Sequence, residues 1–308
     1  MIDISVVVPV FNKEPYLKSL FETIYAQTYK PTEVIIIDDS STDSSLTVIE
    51  KYQKKYGFDL LKNKKNMGVS ATRNRGILKA KSNYVALLDC DDTWNKDFLK
   101  LMANKIEQQK YHLLGSGYNF QSKKKIVRAE LIIPNGKTAV VKDYFEAAVS
   151  GDLPFTCSSV IIEKSAFLDC GGFSENLSMG EDQLLWNKFI TKGYNCAVFN
   201  IPLANYLIDA GNSACNDYNK SIIGDFLLEM DNEIKGNKYK KKYIDKHVVY
   251  AFTNAIKSSD RSSAISVLNH PLTSKTLKFL FKMVLLMPLC FTSKIICILY
   301  DFLDRKRS

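Results

Sequence analysis

The chain has 308 residues, of which 46% are hydrophobic and 24% charged, and its formal net charge is +9. This composition excludes wholesale disorder, and the length suffices for one large domain or two smaller ones, each with a hydrophobic core. Residues 233–308 hold 15 basic and 5 acidic side chains, whereas residues 1–232 hold 27 basic and 28 acidic ones. The basic last quarter favours contact with an anionic membrane or a nucleic acid; the alternative is a solvated basic helical surface.

Strand and helix patterns alternate through the first hundred residues. Apolar, β-branched runs predict strands at Ile4–Val10, Val34–Ile37, Phe58–Leu61 and Tyr84–Leu88. The segments between them have helical spacing, in Glu14–Thr28, around Leu46–Ile49 and within Gly68–Ala80. Continuous apolar strands between amphipathic helices predict an α/β fold with a mostly parallel sheet covered by helices on both faces.

The pattern changes after the first hundred residues. The predicted elements there are helices at Asn95–Gln108 and Glu181–Thr191 and strands at His112–Phe120, Thr156–Ile162 and Ala197–Ile201. From Tyr218 onward helical patterns dominate, and no low-complexity linker marks a boundary. We expect a catalytic domain over residues 1–215 and a helical, basic, amphipathic C-terminal appendage over residues 216–308.

The appendage ends in an apolar segment that also carries lysines and the basic cluster Arg305-Lys306-Arg307. Its longest uncharged stretch, Met283–Ser293, has eleven residues, fewer than the ~20 that a membrane-spanning helix needs. Such a segment suits a helix that lies in the interface of an anionic membrane. The alternative is a helical hairpin packed on the core of the protein itself.

Cysteine usage and the N-terminal sequence bear on the compartment. The seven cysteines are scattered and form no C-x-x-C pair, which argues against a zinc site or a disulfide framework and fits a reducing compartment. The first residues, MIDISVVVPV, enter a strand directly and lack the basic region of a secretory signal. We expect a cytoplasmic protein that is peripheral on the cytoplasmic face of the inner membrane.

Three of the predicted parallel strands end in polar or acidic side chains. These are Asn12, Asp38, Asp39, Asp89, Asp91 and Asp92. Ligands of such sheets bind at the carboxyl ends of the strands, so we expect these loops to converge on one rim. Like charges as close as Asp89, Asp91 and Asp92 need a cation among them, and carboxylates select Mg²⁺ or Mn²⁺ together with substrate phosphates. The alternative is a helix N-cap with first-turn acids.

Neighbouring residues suit a nucleotide ligand. The segment Asn66–Asn74 offers small residues at a helix start and a cation, Arg73, both suited to an anion. Phe11 follows a strand end, where an aromatic ring can cover a nucleobase, and Asp38 and Asp39 can accept hydrogen bonds from a base or ribose. The alternatives are a core aromatic for Phe11 and a turn with a helix cap for the two aspartates.

A second acidic pair, Glu181 and Asp182, lies at the start of a predicted helix in the segment GEDQLLW. A carboxylate there can take a proton from an acceptor hydroxyl. Alternatively, the pair only stabilises the helix N-terminus through the helix dipole.

Five segments together resemble a known family. PVFNKEPYL, VIIIDDSSTD, NMGVSATRNRG, LLDCDDTW and GEDQLLW, in this order and spacing, resemble the family-two glycosyltransferases of the inverting GT-A (Rossmann-like) fold, of the bacterial surface-polysaccharide type. The resemblance covers about residues 1–210. It implies transfer of a sugar from a nucleotide-sugar donor, with UDP favoured, to a hydroxyl of a glycan or lipid-linked acceptor.

The resemblance also implies individual roles. The residues that would line the nucleotide pocket are Pro9, Phe11, Glu14, Asp39, Arg73, Asn74 and Asp89. Asp91 would coordinate the Mn²⁺ or Mg²⁺ that bridges the phosphates, with Asp92 as a supporting neighbour at the metal. Asp182 would be the general base, with Glu181 as the fallback because the acid pair can be aligned either way.

The chain departs from the family pattern in one loop. Leu207 and Asp209 stand where many relatives carry an Arg and a His, so the resemblance does not extend to a third metal or phosphate ligand from this loop. The Q-x-x-R-W motif of processive polysaccharide synthases is absent, which favours addition of a single sugar.

Two other functions remain as alternatives. One is a sugar-phosphate nucleotidyltransferase, although the first loop lacks its Gly-rich, phosphate-gripping turn. The other is a non-catalytic module that binds membrane surfaces. A nucleic-acid partner is not expected, because the basic excess coexists with an apolar tail and no RNA- or DNA-binding motif is recognised.

Overall fold

The computed structural model describes residues 2–210, 222–233 and 237–286. The chain divides into two compact units, Met1–Asn216 and Asp217–Ser308. The predicted domain boundary between residues 215 and 216 lies outside the described residues, and so does the apolar and basic segment that follows Leu286.

The first unit is built on one mixed sheet of ten strands. In chain order the strands are β1 (Ile4–Val10), β2 (Glu33–Asp38), β3 (Asp59–Lys62), β4 (Tyr84–Leu87), β5 (Thr93–Trp94), β6 (Leu113–Gln121), β7 (Ile126–Arg128), β8 (Thr138–Val140), β9 (Val160–Glu163) and β10 (Cys196–Leu207). Their order across the sheet is β3-β2-β1-β4-β9-β6-β10-β5, with β7 paired to β6 and β8 to β10. Strands β1 to β4 pair in parallel, whereas β9 is antiparallel to both β4 and β6. The predicted α/β class is confirmed.

Helices flank this sheet. In chain order those of the first unit are α1 (Leu17–Tyr25), α2 (Ser45–Tyr56), α3 (Val69–Lys79), α4 (Phe98–Gln108), α5 (Tyr144–Ser150), α6 (Lys164–Asp169) and α7 (Glu181–Thr191). Helix α3 lies very close to the sheet at Gly76, where a Cβ atom would approach Val7 Cγ1 to 2.5 Å and Ile37 Cδ1 to 2.6 Å. A glycine at this position therefore lets α3 approach the sheet closely. The approach also fixes the position of Arg73, which lies one helical turn before Gly76.

Several elements differ from their predicted bounds; the helix predicted over Glu14–Thr28, for example, is a 3₁₀ turn, Glu14–Tyr16, followed by α1. Helix α4 begins at Phe98 because Trp94 pairs with β10 and its indole Nε1 donates to the Ser158 carbonyl at 2.6 Å. Strand β10 extends to Leu207 because it stays paired with β6 past register shifts near Pro202. Residues Cys157–Ser159 form a short 3₁₀ turn, so the strand predicted to begin at residue 156 begins at Val160 instead.

The second unit is helical throughout its described residues. Its helices are Asp225–Glu233, Lys238–Lys257, Arg261–Asn269 and Lys275–Leu286. Buried aliphatic and aromatic residues form its core, in which the rings of Phe252 and Phe281 stack with centroids 3.7 Å apart. Among the described residues, no helix has both the length and the apolar character that crossing a bilayer requires.

Candidate active site

The loops that follow β1, β2 and β4 meet at the carboxyl ends of these strands, as the sequence predicts. Asn12 Oδ1 accepts a hydrogen bond from the Thr42 N–H at 2.7 Å, which joins the first two loops. Lys13 Nζ lies 2.6 Å from Asp91 Oδ2, which joins the first loop to the third. The sheet topology therefore brings the polar strand ends onto one rim.

The first loop is held in a fixed conformation. Asn12 has a positive φ of 51°, a left-handed conformation that asparagine tolerates better than most residues. The Lys13 N–H donates to Ser45 Oγ at 2.9 Å, and the Glu14 N–H donates to Asp43 Oδ2 at 3.2 Å. These bonds leave the ring of Phe11 exposed at the rim, 40% accessible, and the side chain of Glu14 exposed beside it.

The two aspartates at the end of β2 have different surroundings. Asp39 is buried, and its oxygens accept hydrogen bonds from Asn63 Nδ2 and from the N–H groups of Met67 and Gly68, at 2.7, 2.8 and 2.9 Å. Asp39 therefore shapes the loop before α3. Asp38 uses Oδ2 to accept from the Ser41 N–H, while its buried Oδ1 has no hydrogen-bond partner within the described residues. That oxygen is an unused acceptor close to the rim.

Arg73 connects the acidic cluster, which consists of Asp89, Asp91 and Asp92, with the acid pair Glu181 and Asp182. Its Nη2 donates to Asp89 Oδ1 at 2.6 Å and its Nη1 donates to Glu181 Oε1 at 2.9 Å. Burial opposes the charge, but Asp89 and Glu181 outweigh it and hold the pKa of Arg73 well above its usual range. The guanidinium also lies 5.4 Å from the ring centroid of Phe173. Arg73 therefore fixes Glu181 relative to the end of β4.

Asn74 lies next to Arg73 but faces another segment. Its Nδ2 donates to the Phe173 carbonyl at 2.9 Å and to Glu175 Oε1 at 3.0 Å, and its Oδ1 accepts from the Phe173 N–H at 2.9 Å. The amide predicted to lie near the nucleotide is thus already occupied by the chain. We interpret Asn74 as an anchor for the segment that leads into α7.

Asp92 was grouped with the metal residues in the prediction, but its carboxylate is turned into the protein. It is 2% exposed, with Oδ2 accepting from Ser158 Oγ at 2.5 Å and Oδ1 accepting from the Leu207 N–H at 2.9 Å. Burial, followed by the charges of Asp89 and Asp91, raises the pKa of Asp92 well above its usual range. This side chain supports the cluster from behind.

Asp182 and Glu181 begin α7, after Gly180 with a φ of 77°. Glu181 is committed to Arg73, whereas Asp182 is partly buried and its Oδ1 accepts only from the neighbouring Gln183 N–H, at 2.7 Å, among the hydrogen bonds of the described residues. Burial and then the charge of Glu181 raise the pKa of Asp182 to about 7, although Arg73 opposes the shift. A general base works best with a pKa close to the working pH, so Asp182 suits that task, whereas Glu181 is engaged by Arg73.

The acidic side chains that follow β4 could hold a divalent ion only together with other ligands. Within the described part of the chain, no group of three or more His, Cys, Asp or Glu side chains could hold a metal ion by itself. Asp89 and Asp91 each have one oxygen paired with a cation, and their second oxygens accept no hydrogen bond from the described residues. Mg²⁺ is commonly bound by one or two carboxylates together with substrate phosphates, so these two aspartates fit such an ion when a phosphate ligand completes the site.

Sequence reasoning missed two contributors to this site. Lys13 lies between the predicted residues Phe11 and Glu14, and its charge in an acidic rim was the available signal. Ser158, which donates to Asp92 and accepts from the Asp89 N–H at 3.0 Å, has no local signal because it comes from a distant turn before β9.

Comparison with known proteins gives the class and the family. Residues 5–157 match the family model of Glycosyl transferase family 2. An uncharacterized glycosyltransferase of Rickettsia felis is 28% identical over 247 residues, which cover 78% of this chain and 38% of that protein. The UDP-Glc:alpha-D-GlcNAc-diphosphoundecaprenol beta-1,3-glucosyltransferase WfaP of Escherichia coli is 26% identical over 223 residues, which cover 71% of this chain and 82% of WfaP.

Among solved structures, the complex of S. aureus TarS 1-349 with UDP-GlcNAc matches with a TM-score of 0.68 at 20% identity, covering 98% of this chain and 90% of that one. The architecture is therefore that of an α/β protein of the GT-A type. Over residues 5–157 the chain belongs to glycosyltransferase family 2. It spans 38% of the length of each of the first two relatives found, both from Rickettsia.

Proposed function

We propose that the protein is an inverting glycosyltransferase that moves a single sugar from a UDP-sugar to a hydroxyl of a glycan or lipid-linked glycan in the synthesis of cell-surface polysaccharide. The observation that carries the proposal is that Arg73 bonds both Asp89 after β4 and Glu181 at the start of α7, which places the neighbouring Asp182 near the acidic end of β4. Family membership and the similarity to WfaP support it.

The proposed reaction follows from the arrangement of the side chains. Asp182 takes the proton of the acceptor hydroxyl while that oxygen attacks the anomeric carbon of the donor and the bond from this carbon to the diphosphate breaks. The electron pair of that bond leaves with the diphosphate, and attack from the opposite face inverts the anomeric centre. A Mg²⁺ or Mn²⁺ ion held by Asp91 and Asp89 would neutralise charge on the departing diphosphate.

The nucleotide pocket is proposed at the ends of β1 and β2. Phe11 supplies an exposed ring just after β1, and Asp38 at the end of the neighbouring β2 has an Oδ1 without a hydrogen-bond partner among the described residues. Asp39 holds the loop before α3 through its hydrogen bonds to Met67 and Gly68. Aromatic stacking and a carboxylate acceptor suit a base such as uracil, whose ring N–H is a donor. The UDP named in the TarS complexes and in the WfaP description favours the same base.

The two alternatives differ from this proposal in their products. A sugar-phosphate nucleotidyltransferase would release pyrophosphate, whereas the proposed enzyme releases a nucleoside diphosphate. A non-catalytic module would bind membranes without turnover. Detection of UDP without pyrophosphate from a UDP-sugar and an acceptor supports the proposal against both.

Donor and metal binding can be tested without knowing the acceptor. Thermal unfolding with UDP, GDP, dTDP and UDP-sugars, with and without Mn²⁺, is expected to show one base that stabilises the protein in a metal-dependent way. At a ligand concentration of about 100 times Kd the gain is about 2.7 kcal/mol. The variant Asp91→Asn should lose the metal-dependent part, because it removes the carboxylate charge that binds the ion.

The matched control for Asp91→Asn is Asp59→Asn, which changes an exposed aspartate of β3. It should respond to Mn²⁺ and nucleotide like the unchanged protein. Equal metal-dependent shifts in the unchanged protein and in Asp91→Asn would remove Asp91 from the metal site.

We further propose that the second unit binds the anionic membrane surface where a lipid-linked acceptor lies, which would place the protein on the cytoplasmic face of the inner membrane. The helix Lys275–Leu286 exposes Phe279 and Met283 one turn apart, 66% and 44% accessible, with Lys275 and Lys282 exposed beside them. Basic charge next to exposed apolar side chains is typical of helices that lie in a membrane interface.

The double variant Phe279→Gln, Met283→Gln is expected to bind vesicles of phosphatidylglycerol and phosphatidylcholine about tenfold more weakly in a sedimentation assay, because two apolar side chains no longer enter the interface. The control Leu78→Gln changes a residue of α3 that is 59% exposed, and it should bind like the unchanged protein. Unchanged binding of the double variant would exclude this helix face as the membrane contact.

A further inference from the structure

Lys13 is the cation that lies against the predicted metal ligand. Its Nζ is 2.6 Å from Asp91 Oδ2, and the side chains of both residues are only 13% exposed. Among the described residues, the other acids of the cluster are satisfied differently: Asp89 pairs with Arg73, and Asp92 accepts from Ser158 and the Leu207 N–H. Lys13 therefore compensates the carboxylate that a divalent ion would need.

The position of this ammonium group is set by the backbone. The Asn12 N–H donates to Ser41 Oγ at 3.0 Å, and the Lys13 N–H donates to Ser45 Oγ at 2.9 Å. With the positive φ of Asn12, these bonds fix the start of the Lys13 side chain toward the third loop. The aliphatic part of the Lys13 side chain is long and flexible, so the ammonium group can move by a few ångströms while the backbone stays in place.

A divalent ion and an ammonium group cannot occupy the same place beside Asp91. The ion must either displace Lys13 or share Asp91 with it at a cost in electrostatic repulsion, which is larger at a mostly buried site than in water. When the ion arrives with a diphosphate, the displaced ammonium has an anion within reach. The ammonium group of lysine is a compact point charge that binds phosphate groups.

We propose that Lys13 is a positioning residue that occupies Asp91 before the donor binds, opposes binding of the divalent ion alone, and contacts the diphosphate once the ion and nucleotide enter together. This inference rests on the proposed function. Lys13 would thereby favour joint binding of ion and donor over binding of the ion alone.

The test compares Lys13→Met with the unchanged protein in two binding measurements on the full chain. Free Mn²⁺, followed by electron paramagnetic resonance without nucleotide, should bind the variant about tenfold more tightly, because its competitor for Asp91 is gone. UDP, followed by calorimetry in EDTA, should bind the variant more weakly, because a cation near the diphosphate is missing. A purely structural role for the Lys13–Asp91 pair would weaken both.

Lys18→Met is the matched control, since the Lys18 side chain is 79% exposed on α1 and lies at a long distance of 3.9 Å from Glu22. It should leave both affinities unchanged. Lys13→Arg keeps the charge and should retain weak binding of free Mn²⁺; Lys13→Gln gives a second neutral variant should Lys13→Met not fold.

The inference is overturned if the folded neutral variant binds free Mn²⁺ no more tightly than the unchanged protein, or if UDP in EDTA binds it equally well. Its failure is distinct from that of the proposed function. If Asp91→Asn still abolishes metal-dependent donor binding while Lys13→Met changes nothing, only the role of Lys13 is lost.

Discussion

Replacing Asp182 by asparagine is expected to lower turnover by about 10²–10⁴-fold, the usual contribution of a general base, while UDP-sugar binding stays close to normal. Asparagine has nearly the same shape and can still accept the Gln183 N–H, but it cannot take a proton from the acceptor hydroxyl. Turnover is measured as UDP release with acceptor present, and donor binding by calorimetry. The two measurements separate a lost base from a damaged pocket.

The companion variant Glu181→Gln identifies which acid is the base. Glu181 is engaged by Arg73, so its replacement should disturb the position of α7 and reduce turnover. Because the charge of Glu181 raises the pKa of Asp182, the rise of turnover with pH should also move to lower pH in this variant. If Asp182→Asn keeps most of its turnover and Glu181→Gln loses it, the general base is Glu181 and not Asp182.

The pH dependence gives an independent measure of the same group. Burial and the charge of Glu181 raise the pKa of Asp182 to about 7, so the fraction of active, deprotonated base increases as pH rises through 7. Turnover should therefore increase from pH 6 to a plateau near pH 8, and the remaining turnover of Asp182→Asn should lack this step. A profile that is flat between pH 6 and 8 in the unchanged protein would contradict the assignment.

The same pKa has a consequence for stability with the opposite sign. A carboxyl whose pKa is higher in the folded than in the unfolded state is favoured in its protonated form, so its contribution to stability is present at low pH and is lost as pH rises through the folded pKa. At pH 8 the charged Asp182 therefore costs stability, and Asp182→Asn should melt at a temperature at least as high as the unchanged protein. Activity and stability should change in opposite directions.

The rim of the site was predictable because it depends on local patterns. Strand ends follow from apolar runs, and parallel strands bring their carboxyl ends together, so the sequence predicts the place of Asp39, Asp89 and Asp91 at this rim. Whether each acid faces a ligand or the protein depends on partners distant in sequence. Asp92 turns inward because it bonds to Ser158, in the turn before β9, and to the Leu207 N–H of β10, and no local pattern contains that information.

The same reason explains the elements whose bounds were wrong. The sequence around Trp94 is typical of the start of a helix. Pairing with Ala204 and the hydrogen bond to the Ser158 carbonyl nevertheless hold Trp94 in a short strand. Strand β10 continues past Ile201 because β6 offers it a partner, although Pro202 suggests an end. In both places long-range hydrogen bonds override a local preference.

Replacing Arg73 by methionine is expected to lower the free energy of unfolding of the first unit by about 3–5 kcal/mol, the usual cost of breaking a buried ion pair by removal of one partner. Methionine keeps part of the volume but leaves Asp89 and Glu181 facing each other without the cation that bonds both, in a place where the Arg73 side chain is only 6% exposed. Urea unfolding followed by tryptophan fluorescence reports on this unit, since both tryptophans, Trp94 and Trp186, lie within it.

An exposed ion pair of the same unit provides the control. Lys62 and Glu50 lie 2.6 Å apart with 48% and 45% of their side chains accessible, so Lys62→Met should cost less than about 1 kcal/mol. Arg73→Lys should fall between the two variants, because one ammonium group cannot reproduce the two bonds that a planar guanidinium makes in different directions. Equal losses for Arg73→Met and Lys62→Met would mean that Asp89 and Glu181 are held apart by other contacts, and that α7 does not depend on Arg73 for its position beside β4.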